Sequence, residues 1–278
     1  MSFSVSSVIL TKNEVFNIER CITSLQWCKE IVVVDSGSSD GTIQLANELG
    51  AKIFTHIQSP PYKAAVQRNW ALQNCSLTGD WVLFVDADEV ITLNLAGEIQ
   101  RVCSSPENPF NAFQLPPRYL FWGKWMKRTL SYPVWHDRLL KRGEVFFADG
   151  GYMEHFTEGA KLGRLNEPYD HYANSKGVTD WFERVGRYSS WDAECIFNFL
   201  ETGNPNAIGT KNKLNLRILA TKFWFIRPVA RFIYMYIIKL GFLEGWQALI
   251  FSLLIATYEF MVVVKIIDLK RLKAGLPL

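Results

Sequence analysis

Over its first hundred residues the chain alternates short β-branched or aromatic runs with segments of helical period, which restricts it to a small set of folds. The runs are Ser4–Leu10, Ile31–Val34, Lys52–Thr55 and Trp81–Val85. Between the first two, Val15, Ile18, Cys21, Ile22 and Leu25 recur at helical spacing, with Asn13 available as a cap. Helices are expected over Thr42–Leu49, Tyr62–Gln73 and Leu93–Cys103 as well. Strands separated by helices require right-handed crossovers, so the fold class is α/β with a mostly parallel sheet. In such sheets the ligand crevice lies beyond the carboxyl ends of the strands.

Those ends are polar in three of the four cases. The first strand runs into Thr11-Lys12-Asn13-Glu14, the second into Asp35-Ser36-Gly37-Ser38-Ser39-Asp40-Gly41, and the fourth into Asp86-Ala87-Asp88-Glu89. Asp40 reads most simply as a helix cap. Asp86 and Asp88 lie two apart in extended chain, so both carboxylates project to one side. Like charges that close need a cation or hydrogen-bond donors between them. A hard divalent ion such as Mg²⁺ or Mn²⁺ takes oxygen ligands and shares them with phosphates.

Beyond Ala112 the pattern changes to short strands at Phe113–Leu115, Val134–Lys141 and Val145–Phe147, followed by a helix at Trp181–Phe199. The stretch 202–210, TGNPNAIGT, reads as a linker. The expected division is therefore a catalytic domain over 1–201 and a helical region over 202–278. From Thr202 onward there are 11 Lys/Arg and 3 Asp/Glu, a charge of +8; the remaining 30 − 11 = 19 bases and 27 − 3 = 24 acids give −5. An acidic body with a basic, apolar tail fits a membrane surface and does not fit a nucleic acid partner. Arg227 and Arg231 are one helical turn apart among aromatics, and Pro228 is placed to start a helix there. The run Trp246–Ile267 is long enough to span a bilayer, but it contains Glu259 and Lys265. Three readings follow: in-plane or re-entrant attachment, a true span, or an oligomer interface between copies of the chain. The five scattered cysteines read as free thiols of a reducing cytosol, and the first apolar stretch as a strand, not a secretory signal.

VILTKNE at 8–14, IVVVDSGSSDGT at 31–42, QRNWAL at 67–72 and WVLFVDADE at 81–89 resemble, in that order, the family 2 inverting glycosyltransferases of GT-A fold. A looser likeness continues through YPVWHDRLLKRG at 132–143 and HYANSK at 171–176, closest to the branch that builds lipopolysaccharide core and related surface glycans. The resemblance implies a nucleotide-sugar donor (a UDP-hexose in the usual case), a lipid-linked or lipopolysaccharide acceptor, and work at the cytoplasmic face of the inner membrane. Thr11, Asn13 and Glu14 would line the nucleotide pocket, Asp35 would accept the uracil N–H, and Asp86 would hold the ribose or help with the metal. Asp88 would bind Mg²⁺ or Mn²⁺, while Lys63, Gln67 and Arg68 would reach toward the donor. The branch places a catalytic Glu after a Gly-rich turn, which selects Glu154 in Gly150-Gly151-Tyr152-Met153-Glu154-His155. Met153 stands where the branch has His, and Asp149 and Asp137 are rival bases.

Arg138, Lys141 and Arg142 add positive charge that could hold the diphosphate or an anionic acceptor. The aromatics Tyr119, Phe121, Trp122, Trp125, Tyr132 and Trp135 could flank a sugar or be core. His171 reads as structural, since no His/Cys set has zinc spacing. Two other functions share the pattern. A sugar nucleotidyltransferase would need a Gly-rich basic loop after the first strand, which VILTKNE lacks. A non-catalytic membrane module would not need Asp35 together with Asp86-Ala87-Asp88.

Overall fold

The structure, a computed structural model, describes residues 4–59, 62–148, 155–204 and 221–277. The chain forms two compact units, Met1–Leu120 with Tyr132–Ser175, and Phe121–Ser131 with Lys176–Leu278.

The first unit is built on a seven-stranded sheet. Its strands are β1 (Val5–Thr11), β2 (Glu30–Asp35), β3 (Lys52–Thr55), β4 (Trp81–Asp86), β6 (Ala112–Leu115), β9 (His136–Lys141) and β10 (Leu162–Arg164), in the order β10-β6-β9-β4-β1-β2-β3. β4, β1, β2 and β3 run parallel, and β9 lies antiparallel to both β4 and β6. Alternation along the strands sends side chains to two cores. Ile9, Val33, Leu83 and Val85 face the helices α1 (Ile18–Thr23), α2 (Thr42–Glu48) and α4 (Leu93–Ser104), meeting Ile18, Ile22, Ala46, Leu95 and Ile99. Val8, Leu10, Val34 and Phe84 face α3 (Ala64–Asn74) and Phe147. The sheet is thus covered on both faces, which is why β2 and β4 read as near-continuous apolar runs. The mixed α/β, mostly parallel fold agrees with the GT-A expectation. Val145–Phe147 differs from the reading as a strand: among the described residues, Phe147 makes an isolated bridge to Phe156 and no ladder.

A smaller sheet carries β5 (Glu89–Val90), β11 (Tyr169–His171) and β7 (Pro117–Phe121). Its register sets His171 opposite Glu89 on one side and Tyr119 on the other.

The second unit holds α5 (Gly177–Thr202), the segment 121–131, a helix at Arg227–Phe232, a π-type turn at Ile233–Ile238 and a long helix at Trp246–Lys273. The expected division at 201/202 falls elsewhere in the structure, with α5 on the C-terminal side. The apolar stripe of α5 needs a partner, and Ala193 and Ile196 find it in Val262 and Ile266. Pro228 does sit in the first turn of its helix. Glu259 proves to be an internal ion-pair partner, because Arg227 Nε (2.7 Å) and Arg231 Nε (3.1 Å) both reach it.

At the amino end of the sheet, buried Glu30 ties three strands together. Its carboxylate accepts from Ser6 Oγ (2.6 Å), Thr78 N (2.6 Å) and Lys52 Nζ (2.6 Å). Gly79 donates to the same Ser6 hydroxyl, and a Cβ there would meet Ser6 N at 2.4 Å. Burial alone would raise the Glu30 carboxyl, but Lys52 and the hydrogen bonds outweigh it and bring it down to about 2. The stabilisation is fully present above the ordinary value of 4.5 and drains away as pH falls toward 2. With the exposed Lys52 share discounted, it is worth roughly 2 kcal/mol. Glu30→Gln should lose about that much at pH 7 and show a flatter decline between pH 5 and pH 2. Chemical denaturation at several pH values measures both, and an unchanged acid limb would refute the assignment.

Candidate active site

The parallel registers bring the polar strand ends to one edge. Thr11 pairs with Asp35, Leu10 with Asp86, and Asp35 with Thr55. Three loops therefore open side by side at the carboxyl end of β1, β2 and β4.

The first two loops are sewn together by side chains. Asn13, at φ 55, accepts from Ser39 N through its Oδ1 (2.8 Å), and its own N–H donates to Ser38 Oγ (2.8 Å). Asn tolerates that left-handed backbone because its short polar side chain bonds locally. Glu14 N donates to Thr42 Oγ1 (2.8 Å) and Val15 N to Asp40 (3.2 Å). Burial pushes the Asp40 carboxyl up, but the Thr42 hydroxyl and the backbone amides of Val15 and Thr42 bring it below its ordinary value. Asp35 is buried and accepts from Gly37 N and Ser38 N (2.9 Å each) and from the Ser38 hydroxyl. The Thr11 hydroxyl is buried, with no hydrogen-bond partner among the described residues.

The third loop is organised by charge. Arg68 Nη2 of α3 approaches Asp86 Oδ1 (3.0 Å), and Arg138 Nη2 of β9 approaches Asp86 Oδ2 and Glu89 Oε1 (2.8 Å each). Both guanidinium groups are buried, whereas the Asp86 side chain keeps 35% of its surface exposed. Burial would raise the Asp86 carboxyl, but Arg138, Arg68 and His171 hold it well below the usual carboxylate range. Glu89 is displaced upward, by burial first and by Asp86 and Asp88 against the pull of Arg138. His171 Nε2 lies 3.4 Å from Asp88 Oδ2, and its Nδ1 is 3.9 Å from Glu89. Burial lowers His171, yet Asp88, Glu89 and Asp86 raise it above its ordinary value. Tyr119 packs on its ring at 4.8 Å. His136, bonded to Tyr169 Oη (2.8 Å), is pushed down to about 3 by burial, Arg138 and His171, so it is neutral.

The model of glycosyl transferase family 2 matches residues 6–161, more than half of the chain. The chain belongs to that family. A glycosyltransferase of Rickettsia bellii, described as uncharacterized, is 26% identical over 287 residues, covering 95% of this chain and 86% of its own. The lipopolysaccharide core biosynthesis glycosyltransferase LpsC of Rhizobium meliloti is 39% identical over 87 residues, 31% of this chain and 32% of its own. Among solved structures, glucosyl-3-phosphoglycerate synthase from Mycobacterium tuberculosis with Mn²⁺ and UDP-glucose is 20% identical. It covers 52% of this chain and 59% of its own, with a TM-score of 0.39.

Within this family 2 glycosyltransferase, Thr11, Asn13, Glu14, Asp35, Asp86 and Asp88 all belong to the three loops at one edge of the sheet. Gln67 is fully buried, bonding Ser36 Oγ (3.2 Å) and His56 O (3.0 Å), so it supports the Asp35 loop from beneath. Lys63 is exposed at the start of α3. Glu154 and Asp149 lie outside the described residues. Asp137 is buried and engaged by Gln114 Nε2 (2.7 Å) and Phe156 N (2.6 Å), which makes it a structural acceptor. Lys141 stands opposite Trp81 and Arg142 donates to Gly79 O (2.6 Å), both at the far end of β4 from Asp86. The grouping of the aromatics also breaks up: Tyr119 meets His171, whereas Phe121 is core with Met126 and Phe251 in the second unit.

His171, Glu89 and Arg138 join the site, although the sequence reading assigns them lesser parts. The only sequence signal for His171 was the HYANSK likeness, since its neighbours Asp88 and Tyr119 are distant in the chain. The Arg68–Asp86 contact can be tested by a double-mutant cycle. Arg68→Met and Asp86→Asn should each destabilise the protein, with a coupling on the order of 1–2 kcal/mol. Additive effects on the unfolding free energy would show that the contact contributes nothing.

Proposed function

We propose that the chain transfers a hexose from a UDP-sugar, with inversion, to a lipid-linked or lipopolysaccharide-type glycan at the cytoplasmic face of the inner membrane. The observation that carries this reading is the in-register meeting of Thr11, Asp35 and Asp86 beside the Asp88–His171 pair. The orphaned Thr11 hydroxyl offers a bond to a base or ribose, and the sewn loops present a pre-shaped floor for it. Asp35 keeps lone-pair capacity for the ring N–H of uracil, although its own loop already uses part of it.

Among the described residues, no group of three or more His, Cys, Asp or Glu is arranged to hold a metal ion. The donor set nevertheless fits a divalent ion of the Mg²⁺ or Mn²⁺ type, which is bound by one or two carboxylates and completed by phosphates and water. Asp88 would hold it, with the adjacent His171 nitrogen as second ligand. Asp86, gripped by two arginines, is better placed for the ribose. When bound, the ion would neutralise charge on the departing diphosphate.

The chain's own groups supply the rest. Arg68 and Arg138 fix the Asp86 carboxylate, and the Asp35 loop orients the nucleotide. Glu154, assigned from its motif, takes the proton of the acceptor hydroxyl as that oxygen bonds the anomeric carbon and the carbon–phosphate-oxygen bond breaks. The likeness to LpsC, a lipopolysaccharide core biosynthesis glycosyltransferase, supports the acceptor class.

Nucleotide release measured over a panel of UDP- and GDP-linked sugars, with and without chelator, tests the donor and the metal together. Release that is strongest with a UDP-hexose and abolished by chelation is expected. Asp88→Ala should lower turnover about 100-fold or more while the melting temperature holds. Near-normal turnover by that variant would remove Asp88 from the metal. Glu154→Gln should bind donor normally and lose transfer; equal activity would move the base elsewhere.

A further inference from the structure

Among the described residues, the second unit presents an apolar surface that its neighbouring elements leave exposed. On the Trp246–Lys273 helix, Trp246, Leu253, Phe260 and Ile267 fall seven residues apart and are 43–61% exposed. That spacing puts them on one face, in a stripe running most of a helix about 42 Å long. The other side of the helix is occupied. Ala248 and Phe251 pack with Phe121, Met126 and Met235, and Val262 and Ile266 pack with Ala193 and Ile196 of α5. The preceding segment adds exposed Phe225, Val229, Ile233, Ile237 and Leu243.

We propose that this surface rests on an anionic phospholipid leaflet, with the C-terminal helix lying in the membrane plane and not crossing it. Three observations select that occupant and that orientation. First, a crossing helix would carry its packed neighbour into hydrocarbon. α5 exposes Glu183, Arg187, Glu194 and Glu201, and Lys273 pairs with Glu201. Lys265 is spent inside the unit, donating to Ser189 Oγ (2.8 Å) and Ser190 Oγ (2.7 Å). Such charges are expelled from a bilayer core, whereas a stripe running along the axis suits a helix half-sunk in the headgroup layer.

Second, the charge is of one sign where the surface is most apolar. From Thr221 to Leu243 stand Lys222, Arg227, Arg231 and Lys239 with no acid. The flanking acids Glu244 and Glu259 are buried and engaged, by Arg128 N and Thr129 N and by Arg227 and Arg231 respectively. Asp268 is exposed, among Lys270, Arg271 and Lys273. A second copy meeting this surface would bring like cations together, while an anionic leaflet attracts them. Third, exposed Trp246 and Tyr234 are the side chains that settle at headgroup level.

The inference does not rest on the transfer reaction, and it is tested without donor or acceptor. The full chain is mixed with vesicles of phosphatidylcholine alone or with phosphatidylglycerol, and binding is measured by flotation. Binding to the mixed vesicles, weakened by salt and reversed by alkaline carbonate, is expected. Leu253→Glu and Phe260→Glu replace exposed residues, so their thermal melts should stay unchanged while the vesicle affinity falls about ten-fold or more. Resistance to carbonate, with the C-terminus protected inside sealed vesicles, would mean a span and overturn the proposal. So would absence of binding to mixed vesicles, including the case where the chain is a dimer that Phe260→Glu splits.

Discussion

Two arginines closing on one carboxylate at the end of β4 set the geometry of the whole strand-end edge. Arg68 arrives from α3 and Arg138 from β9, so the Asp86 carboxylate is where a covering helix and two strands are joined. Glu89 completes the cluster from full burial, accepting from Arg138 and receiving the Asp86 amide (2.9 Å). A buried ion costs several kcal/mol unless it is paired, so none of these four groups can be moved without stranding another. Three carboxyl groups, those of Asp86, Asp88 and Glu89, meet the two guanidinium groups of Arg68 and Arg138. The third is left to His171, which leans on Asp88. A divalent cation held at Asp88, as proposed, would answer the same imbalance more strongly, and a diphosphate would then answer the cation.

The rest of the floor is held together by hydrogen bonds. Asn13, Ser38, Asp40 and Thr42 cross-link the loops after β1 and β2 through bonds to backbone amides, each amide being a group that would otherwise need water. Gln67 fills the space under Ser36 from α3. Loops fixed in this way can hold a nucleotide without first losing conformational freedom. The two halves of the edge thus divide the work: hydrogen bonds shape it near Asp35, and charge shapes it near Asp86.

The second unit solves the same electrostatic problem for another purpose. Glu259 sits in a run of apolar residues, where an unpaired carboxylate would be prohibitive, and Arg227 and Arg231 from a single turn of helix satisfy it. Glu244 does likewise for the segment 121–131, taking the amides of Arg128 and Thr129. With Glu244 and Glu259 turned inward, the stretch from Thr221 to Leu243 presents apolar and basic side chains and no acid.

The order of strands and helices over the first hundred residues, the parallel sheet and the edge holding Thr11, Asp35 and Asp86 were legible in the sequence. Periodicity and strand length are local properties, and parallel pairing converts strand ends into a shared edge without further information. The likeness in VILTKNE, IVVVDSGSSDGT and WVLFVDADE carried the family for the same reason, since each is a contiguous segment. What the sequence could not give was anything made between segments far apart in the chain. His171 reaches Asp88 only because β11 pairs with β5, Arg138 reaches Asp86 only because β9 reverses beside β4, and the same reversal carries Lys141 and Arg142 away. Likewise α5 read as the end of the first domain, until the partner of its apolar stripe proved to be the C-terminal helix. Contacts of that kind depend on register and packing, which are decided when the whole chain condenses and not by any one stretch of it.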